Sequence, residues 1–111
     1  MSSAVVGTPE NLASLVGDGT VLVDFWAPWC APCKVLGQSV DRIAREEPSL
    51  SVVKVDISAH PDLASAYGVV SIPTLVLLSG GQEVSRKVGA AGGYGALKDL
   101  VAPHLTPRAT T

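Results

Sequence analysis

The segment VLVDFWAPWCAPCK, residues 21 to 34, joins a strand-like run to the start of a helix-like run. Its first six residues are β-prone and apolar apart from Asp24, a pattern typical of a strand covered on both faces in a parallel or mixed sheet. We therefore expect Asp24 to be buried. The same segment holds the chain's two cysteines, Cys30 and Cys33, directly after Trp29. A close cysteine pair at a strand-to-helix junction favours reversible thiol–disulfide chemistry.

The residues after the cysteines predict a long amphipathic helix that ends before Pro48. Apolar residues recur from Leu36 at the spacing of one helix face, and charged residues lie opposite them. Two of the charged pairs stand at i, i+4 spacing and are predicted ion pairs, Asp41 with Arg45 and Arg42 with Glu46.

The rest of the sequence predicts three shorter helices and three more strands. A strand, a crossover helix and a second strand form a right-handed βαβ unit, and a later hairpin adds antiparallel strands, so the predicted sheet is mixed. The predicted strands are residues 50–57, 74–79 and 83–88, the last two joined by Gly80-Gly81. The first predicted helix starts at the cap formed by Thr8, Pro9 and Glu10. The next lies near Leu63 to Tyr67 and stops at Gly68. The last lies near Leu97 to Val101, and Pro103 ends it.

Length and composition limit the number of domains, the classes of partner and the cellular location to be expected. A chain of 111 residues with 47% apolar content predicts one domain over residues 1–111, with 106–111 as a flexible tail. Its 8 basic and 10 acidic residues provide no basic stripe, which argues against nucleic acid and anionic membranes as partners. The first residues lack the basic start and apolar core of a secretory signal, and no run is long enough for a membrane helix, so we expect a cytoplasmic protein.

The position of Cys30 predicts that it is the reactive thiol. If Cys30 caps the helix, its sulfur faces unsatisfied backbone donors. Pro32 has no amide hydrogen, so the Cys33 N–H is the expected donor. Lys34 would add positive potential, although its default interpretation is a solvated helix lysine. Both effects favour the thiolate, which is the form that attacks a disulfide. Cys33, one turn into the helix, suits the resolving thiol that attacks the mixed disulfide.

Asp24 and Lys54 complete the predicted catalytic set, and each has a simpler alternative. A buried Asp24 carboxyl should have a raised pKa and could accept the Cys33 proton, directly or through a water. It could equally be a satisfied structural carboxylate paired with Lys54, or Lys54 could be a solvated strand lysine.

The cysteine pair also has alternatives. A zinc half-site would need two more ligands, and His60 and His104 are solitary and far apart in the sequence. A structural disulfide across so short a loop would restrict the unfolded chain only slightly. Trp29 could be ordinary core, but beside a reactive thiol we expect it at an exposed rim.

Several motifs together resemble the thioredoxin family in its WCAPC variant. They are residues 21–34, Tyr67-Gly68, Ile72-Pro73-Thr74-Leu75 and Lys87-Val88-Gly89-Ala90, and they extend over nearly the whole chain. The resemblance implies an α/β thioredoxin fold with a central mixed β-sheet of four to five strands flanked by four α-helices. It also implies that the cysteines are exposed at the strand-to-helix junction.

The resemblance further implies a substrate surface around the cysteines. A cis Ile72-Pro73 bond would face the disulfide and leave nearby backbone groups free for an extended substrate strand. Trp29, Ile72, Pro73 and Gly89 would form a shallow apolar docking patch, and Ala31 and Pro32 between the cysteines would add substrate contacts. Gly89 is small enough to let a substrate backbone approach.

The function that the resemblance implies is general protein-disulfide reduction by dithiol–disulfide exchange. No cofactor would be bound, since the redox group is the Cys30–Cys33 disulfide. Electrons would come from NADPH through a flavin-dependent thioredoxin reductase. The partners would be that reductase and disulfide-containing target proteins, and the chain would act as a monomer. The alternative is a thioredoxin-like binding or chaperone module whose cysteines are not turned over.

Two positions depart from the family pattern. Ala31 replaces the usual glycine, which predicts a stiffer loop between the cysteines. The absence of a histidine there favours a reductase. Gln38 stands where the family usually has a helix-kinking proline, which weakens the case for partner docking beside that part of the helix.

Overall fold

The structure, a computed structural model, describes residues 4–17 and 19–105, where five strands form one mixed sheet beside four α-helices. This architecture confirms the predicted α/β fold, and the predicted tail at 106–111 lies outside the described residues. The strands are β1 (Val5–Val6), β2 (Thr20–Trp26), β3 (Leu50–Asp56), β4 (Thr74–Ser79) and β5 (Gln82–Val88). The helices are α1 (Leu12–Val16), α2 (Ala31–Glu46), α3 (Pro61–Ala66) and α4 (Gly93–Val101), followed by a 3₁₀ turn at Ala102–His104.

The sheet has the strand order β1-β3-β2-β4-β5. β1, β3 and β2 are parallel, and β4 and β5 are antiparallel to their inner neighbours. The predicted βαβ unit of β2, α2 and β3 and the β4–β5 hairpin are both confirmed. Gly80 and Gly81 form the hairpin turn with φ angles of 58° and 83°, which glycine adopts without a steric penalty.

The two faces of the sheet carry separate apolar cores, as strand alternation requires. One core joins the even-numbered residues of β2, such as Leu22, to α2 and α4. The other joins odd-numbered residues, such as Phe25, to α1 and to residues in and after α3. Asp24 and its neighbour in register on β3, Lys54, therefore lie on the face that α2 covers.

Helix α2 begins and ends close to the predicted positions, and its side chains tie it to α4. Arg42 pairs with Glu46 at 2.9 Å, as predicted. The Arg42 guanidinium lies 3.9 Å from the centre of the Tyr94 ring, and the Tyr94 hydroxyl donates a hydrogen bond to Glu46. The predicted pair of Asp41 with Arg45 is wrong, because Asp41 pairs with Lys54 across the α2–β3 interface at 3.0 Å.

Two features near the N-terminus differ from the predictions. Strand β1 was not predicted, because two exposed residues give no alternation and become a strand only by pairing with β3. Helix α1 starts at Leu12 rather than at the predicted cap. The Thr8 carbonyl accepts the N–H groups of Asn11 and Leu12, and the Asn11 side chain accepts the Thr8 N–H, so Thr8 to Asn11 form a turn before the helix.

Pro103 lies just after α4, inside the 3₁₀ turn, in agreement with its predicted role in ending that helix. Within residues 4–17 and 19–105, no helix has both the length and the apolar character needed to cross a bilayer.

Candidate active site

The two cysteines lie where β2 leads into α2. A turn closed by the Cys30 N–H and the Ala27 carbonyl at 3.1 Å brings the chain from the strand to the helix. Cys30 is the N-cap residue, and its sulfur accepts the Cys33 N–H at 3.2 Å. This confirms the predicted cap and the predicted donor. The free donors at this helix start place positive potential at the Cys30 sulfur.

Cys30 and Cys33 form a disulfide, with their Cα atoms 5.3 Å apart. The cysteines are much less exposed than the resemblance implies. Cys30 keeps 7% of its surface exposed and Cys33 only 2%, because both pack in an apolar cluster with Trp26, Ile57 and Ile72. The difference between the two cysteines leaves Cys30 as the more accessible one.

The residues beside and between the cysteines form the outer rim of the site. Trp29 is 70% exposed, which confirms the predicted rim position and excludes the core alternative. Ala31 and Pro32 are also exposed. Trp29, Ala31 and Pro32 are therefore the exposed surface beside the buried sulfur of Cys30.

The segment that precedes β4 borders the cysteines on the other side. Ile72 packs against the cysteine cluster and is half-buried, and the Ile72-Pro73 peptide bond is cis. Pro73 itself is buried, whereas the predicted docking patch would need it at the surface. It lies directly before β4, and its carbonyl accepts the Gly89 N–H at 2.8 Å. The open apolar surface here comes from Ile72.

Gly89 follows β5 and is half-buried beside Pro73. Its φ angle is 93°, in the region that favours glycine. A side chain added there would meet nothing within 4 Å. The φ angle is a sufficient reason for glycine here, and the close approach of a substrate backbone stays a prediction.

The Asp24 carboxyl is enclosed behind the disulfide. Asp24 is 1% exposed, and among the described residues its Oδ1 has no hydrogen-bond partner. Burial raises the pKa of Asp24 to about 7, opposed in part by the charge of Lys54. The predicted burial and raised pKa are both present, and the alternative of a carboxylate satisfied by Lys54 does not hold.

A cavity connects Asp24 to Cys33. Its volume is about 190 Å³, enough for several water molecules. Asp24 and Cys33 both line it, as do Lys54 and Asp41 at the α2–β3 interface. Cys33 and the Asp24 carboxyl therefore face one cavity, which has room for water between them.

Lys54 is half-buried rather than a solvated strand lysine. Its ammonium pairs with Asp41, a residue that the sequence reasoning assigned to a pair within α2. The i, i+4 spacing gave no sign of the contact, which joins residues 13 positions apart. The only sequence feature that points to this contact is the βαβ unit, which implies that α2 packs beside β3.

Arg86 is a second residue that sequence reasoning missed. From β5 it donates hydrogen bonds to the backbone carbonyls of Tyr67 and Gly68, and it pairs with Glu83 at 2.8 Å. These contacts hold the end of α3, where the loop toward Ile72 begins. The loop exposes Val70 almost completely, at 97%.

The zinc alternative finds no ligand set in residues 4–17 and 19–105, where no three side chains from His, Cys, Asp and Glu come together to hold a metal. The redox group of the site is the disulfide itself.

Comparison with known proteins agrees with this geometry. The sequence model of the family described as Thioredoxin matches residues 3–102. The chain belongs to the thioredoxin family. A thioredoxin of Mycobacterium bovis is 48% identical over 109 residues, which cover 94% of each chain. The solved structure of a mutant thioredoxin from Halobacterium salinarum superposes with a TM-score of 0.87 at 34% identity, covering 96% of this chain and 95% of that one.

A longer relative carries the same domain in another setting. The bifunctional thioredoxin reductase/thioredoxin of Mycobacterium leprae is 49% identical over 88 residues, and the match spans 77% of this chain but only 19% of that protein. Thioredoxin-family members are disulfide oxidoreductases. This thioredoxin-family chain is accordingly a protein-disulfide reductase that acts by thiol–disulfide exchange at its own disulfide.

Proposed function

We propose that the chain is a general reductant of protein disulfides in which Cys30 is the nucleophile and Cys33 the resolving thiol. The observation that carries this division of roles is the Cys33 N–H donated to the Cys30 sulfur at the start of α2. That donor and the helix dipole stabilise a thiolate on Cys30. Cys33 has less exposed surface than Cys30 and reaches the cavity behind it.

The reaction follows in two exchanges. The Cys30 thiolate attacks one sulfur of a target disulfide, so that a mixed disulfide forms and the other target sulfur leaves as a thiolate and takes a proton. Cys33 then gives its proton to Asp24 and attacks the Cys30 sulfur. The Cys30–Cys33 disulfide forms, and the second target sulfur leaves. Two electrons pass from the dithiol to the target.

Asp24 and Lys54 supply the proton chemistry of the second exchange. A carboxyl with a pKa of about 7 is partly ionised at neutral pH and can accept a proton there. Lys54 lines the same cavity and lowers the pKa of Asp24 by its positive charge. The two residues act on Cys33 from behind, away from the target.

The target docks across the rim of the site. Trp29, Ala31 and Pro32 contact it on one side, and Ile72 and Gly89, which flank the buried Pro73, contact it on the other. β4 begins at Thr74, so the Ile72 backbone lies outside the ladder with β2 and remains available to an extended segment of the target. Pro73 acts mainly by shaping this segment, since its own side chain is buried.

The oxidised protein is recharged by NADPH through a thioredoxin reductase. The fusion of the two activities named for the Mycobacterium leprae relative supports this donor. The chain acts as one domain, which the family match over residues 3–102 supports, and we propose that it works as a monomer in the cytoplasm.

Replacing Cys33 by serine should trap targets as mixed disulfides, because a hydroxyl cannot attack the Cys30 sulfur. Incubation with an oxidised target such as insulin should give adducts that dithiothreitol releases, detected by nonreducing electrophoresis and peptide mass at Cys30. The matched control is the double variant Cys30→Ser, Cys33→Ser, which should give none. Equal, reductant-insensitive binding by both variants would instead support a scaffold or chaperone module with idle cysteines.

A further inference from the structure

The ammonium of Lys54 lies over one face of helix α2. Its Nζ is 3.0 Å from Oδ1 of Asp41 and 3.5 Å from the point where a side chain on Gly37 would begin. Gly37 and Asp41 are four residues apart and so share a helix face. The Lys54 ammonium therefore lies over Gly37, at an ordinary van der Waals distance from the point where a side chain would begin, and reaches the Asp41 carboxylate one turn further along the helix.

This position separates the Lys54 ammonium from the carboxyl of Asp24, although the two backbones are adjacent. Lys54 and Asp24 are direct neighbours in the β2–β3 register. Nevertheless, among the described residues no ion pair within 4.0 Å joins them, and Oδ1 of Asp24 has no partner. Asp41 is half-exposed and pairs with the ammonium at the cavity rim, where the charge stays in contact with solvent and avoids the desolvation cost of a buried pair.

We propose that Asp41 is a positioning residue that holds the Lys54 ammonium over Gly37 and thereby keeps the Asp24 carboxyl unpaired beside Cys33. The proposal rests on the proposed role of Asp24 as the base for Cys33. Asp41 touches no target and no reacting sulfur. It acts through Lys54, and it sets the pH range in which Asp24 can accept a proton.

Other charged groups near Asp24 do not substitute for this pair. From α2, Lys34 lines the cavity but is exposed, and Cys33 is held in the disulfide. From β3, Asp56 lies on the same sheet face and is bonded to Ser58. β4 presents the apolar Leu75 next to Asp24, with Lys87 of β5 beyond it. The charged residues of α4, Lys98 and Asp99, are exposed.

Replacing Asp41 by asparagine should lower the pH at which Asp24 titrates. The variant removes a negative charge that raises the pKa of Asp24, and it frees Lys54 to approach the carboxyl. We expect the midpoint to fall by about one pH unit. The measurement is the ¹³C carboxyl shift of Asp24 against pH in the oxidised protein, where the cysteines do not titrate. The matched control is Asp99→Asn, an exposed aspartate on α4, which should leave the midpoint unchanged.

A double variant separates positioning from simple charge. In a Lys54→Met background, Asp41→Asn can act only through its own charge, so its effect on the Asp24 midpoint should shrink to less than half. An equal shift in both backgrounds would show that Lys54 is not the intermediary, and the absence of a shift in the single variant would remove Asp41 from the site. Either result overturns the proposal.

Rates of the resolving exchange distinguish this proposal from the one on which it rests. The pH profile of target release from the Cys30 mixed disulfide should move to lower pH with Asp41→Asn, by the amount seen in the carboxyl titration. A shifted titration with an unmoved rate profile would leave the positioning role intact and show that Asp24 is not the base.

Discussion

Disulfide reduction by the Cys30→Ser variant should fall to the rate of the protein-free reaction. A serine hydroxyl does not ionise near neutral pH and does not attack sulfur, so the first exchange has no nucleophile. Cys33 cannot replace it, because Cys33 is 2% exposed and lies one helical turn inside the site. The assay is insulin reduction with dithiothreitol as the electron source.

The matched variant for this prediction is Cys33→Ser. It should also lose turnover, but it should still release one thiol per molecule of protein from a target disulfide, because the first exchange needs only Cys30. Circular dichroism of both variants should show the native fold. Turnover retained by Cys30→Ser would mean that the attacking sulfur belongs to Cys33.

Asp24→Asn should stabilise the folded protein most strongly above about pH 7. The pKa of Asp24 is about 7 in the folded protein, against 3.8 as the ordinary value. Between these values the folded state holds a proton that the unfolded state has lost, so stability falls as pH rises through this window and then levels off. Removing the ionisable group removes this loss, which is about 4 kcal/mol at its maximum.

Urea unfolding of the oxidised proteins at about pH 5 and about pH 9 tests the sign of this effect. The free energy of unfolding of the unmodified protein should fall between the two pH values, while that of Asp24→Asn should change much less. Asp99→Asn is the matched control and should keep the pH dependence of the unmodified protein. Parallel curves for Asp24→Asn and the unmodified protein would show that the Asp24 carboxyl is ionised at little cost.

The same variant should slow the second exchange, because an amide cannot accept the Cys33 proton. A protein that becomes more stable and less active on one substitution would place Asp24 among residues kept for chemistry rather than for the fold. Unchanged release of target from the mixed disulfide would return Asp24 to a structural role.

Local sequence signals were sufficient for the elements nearest the site. The bounds of α2 followed from the cap at Cys30 and from Pro48, and the burial of Asp24 followed from its place in an unbroken apolar run. The hairpin followed from Gly80-Gly81. In each case the local sequence pattern and the tertiary packing favour the same secondary structure, so the local prediction holds.

The misses came from contacts between residues far apart in the chain. β1 exists only as a partner of β3, and the Asp41–Lys54 pair exists only because α2 packs on β3. Helix spacing favoured Arg45 for Asp41, but the half-buried lysine lies closer to its carboxylate. The cysteines are more buried than expected because Ile57 and Ile72, remote in sequence, close over them.

The most direct measurement of the central claim is the site of alkylation in the reduced protein. At about pH 6, limiting iodoacetamide reacts with thiolate and hardly with thiol. The account predicts that peptide mass analysis finds the label on Cys30, at a rate well above that of a free cysteine peptide, with Cys33 unlabelled. Labelling of Cys33 first, or of Cys30 no faster than the peptide, would contradict it.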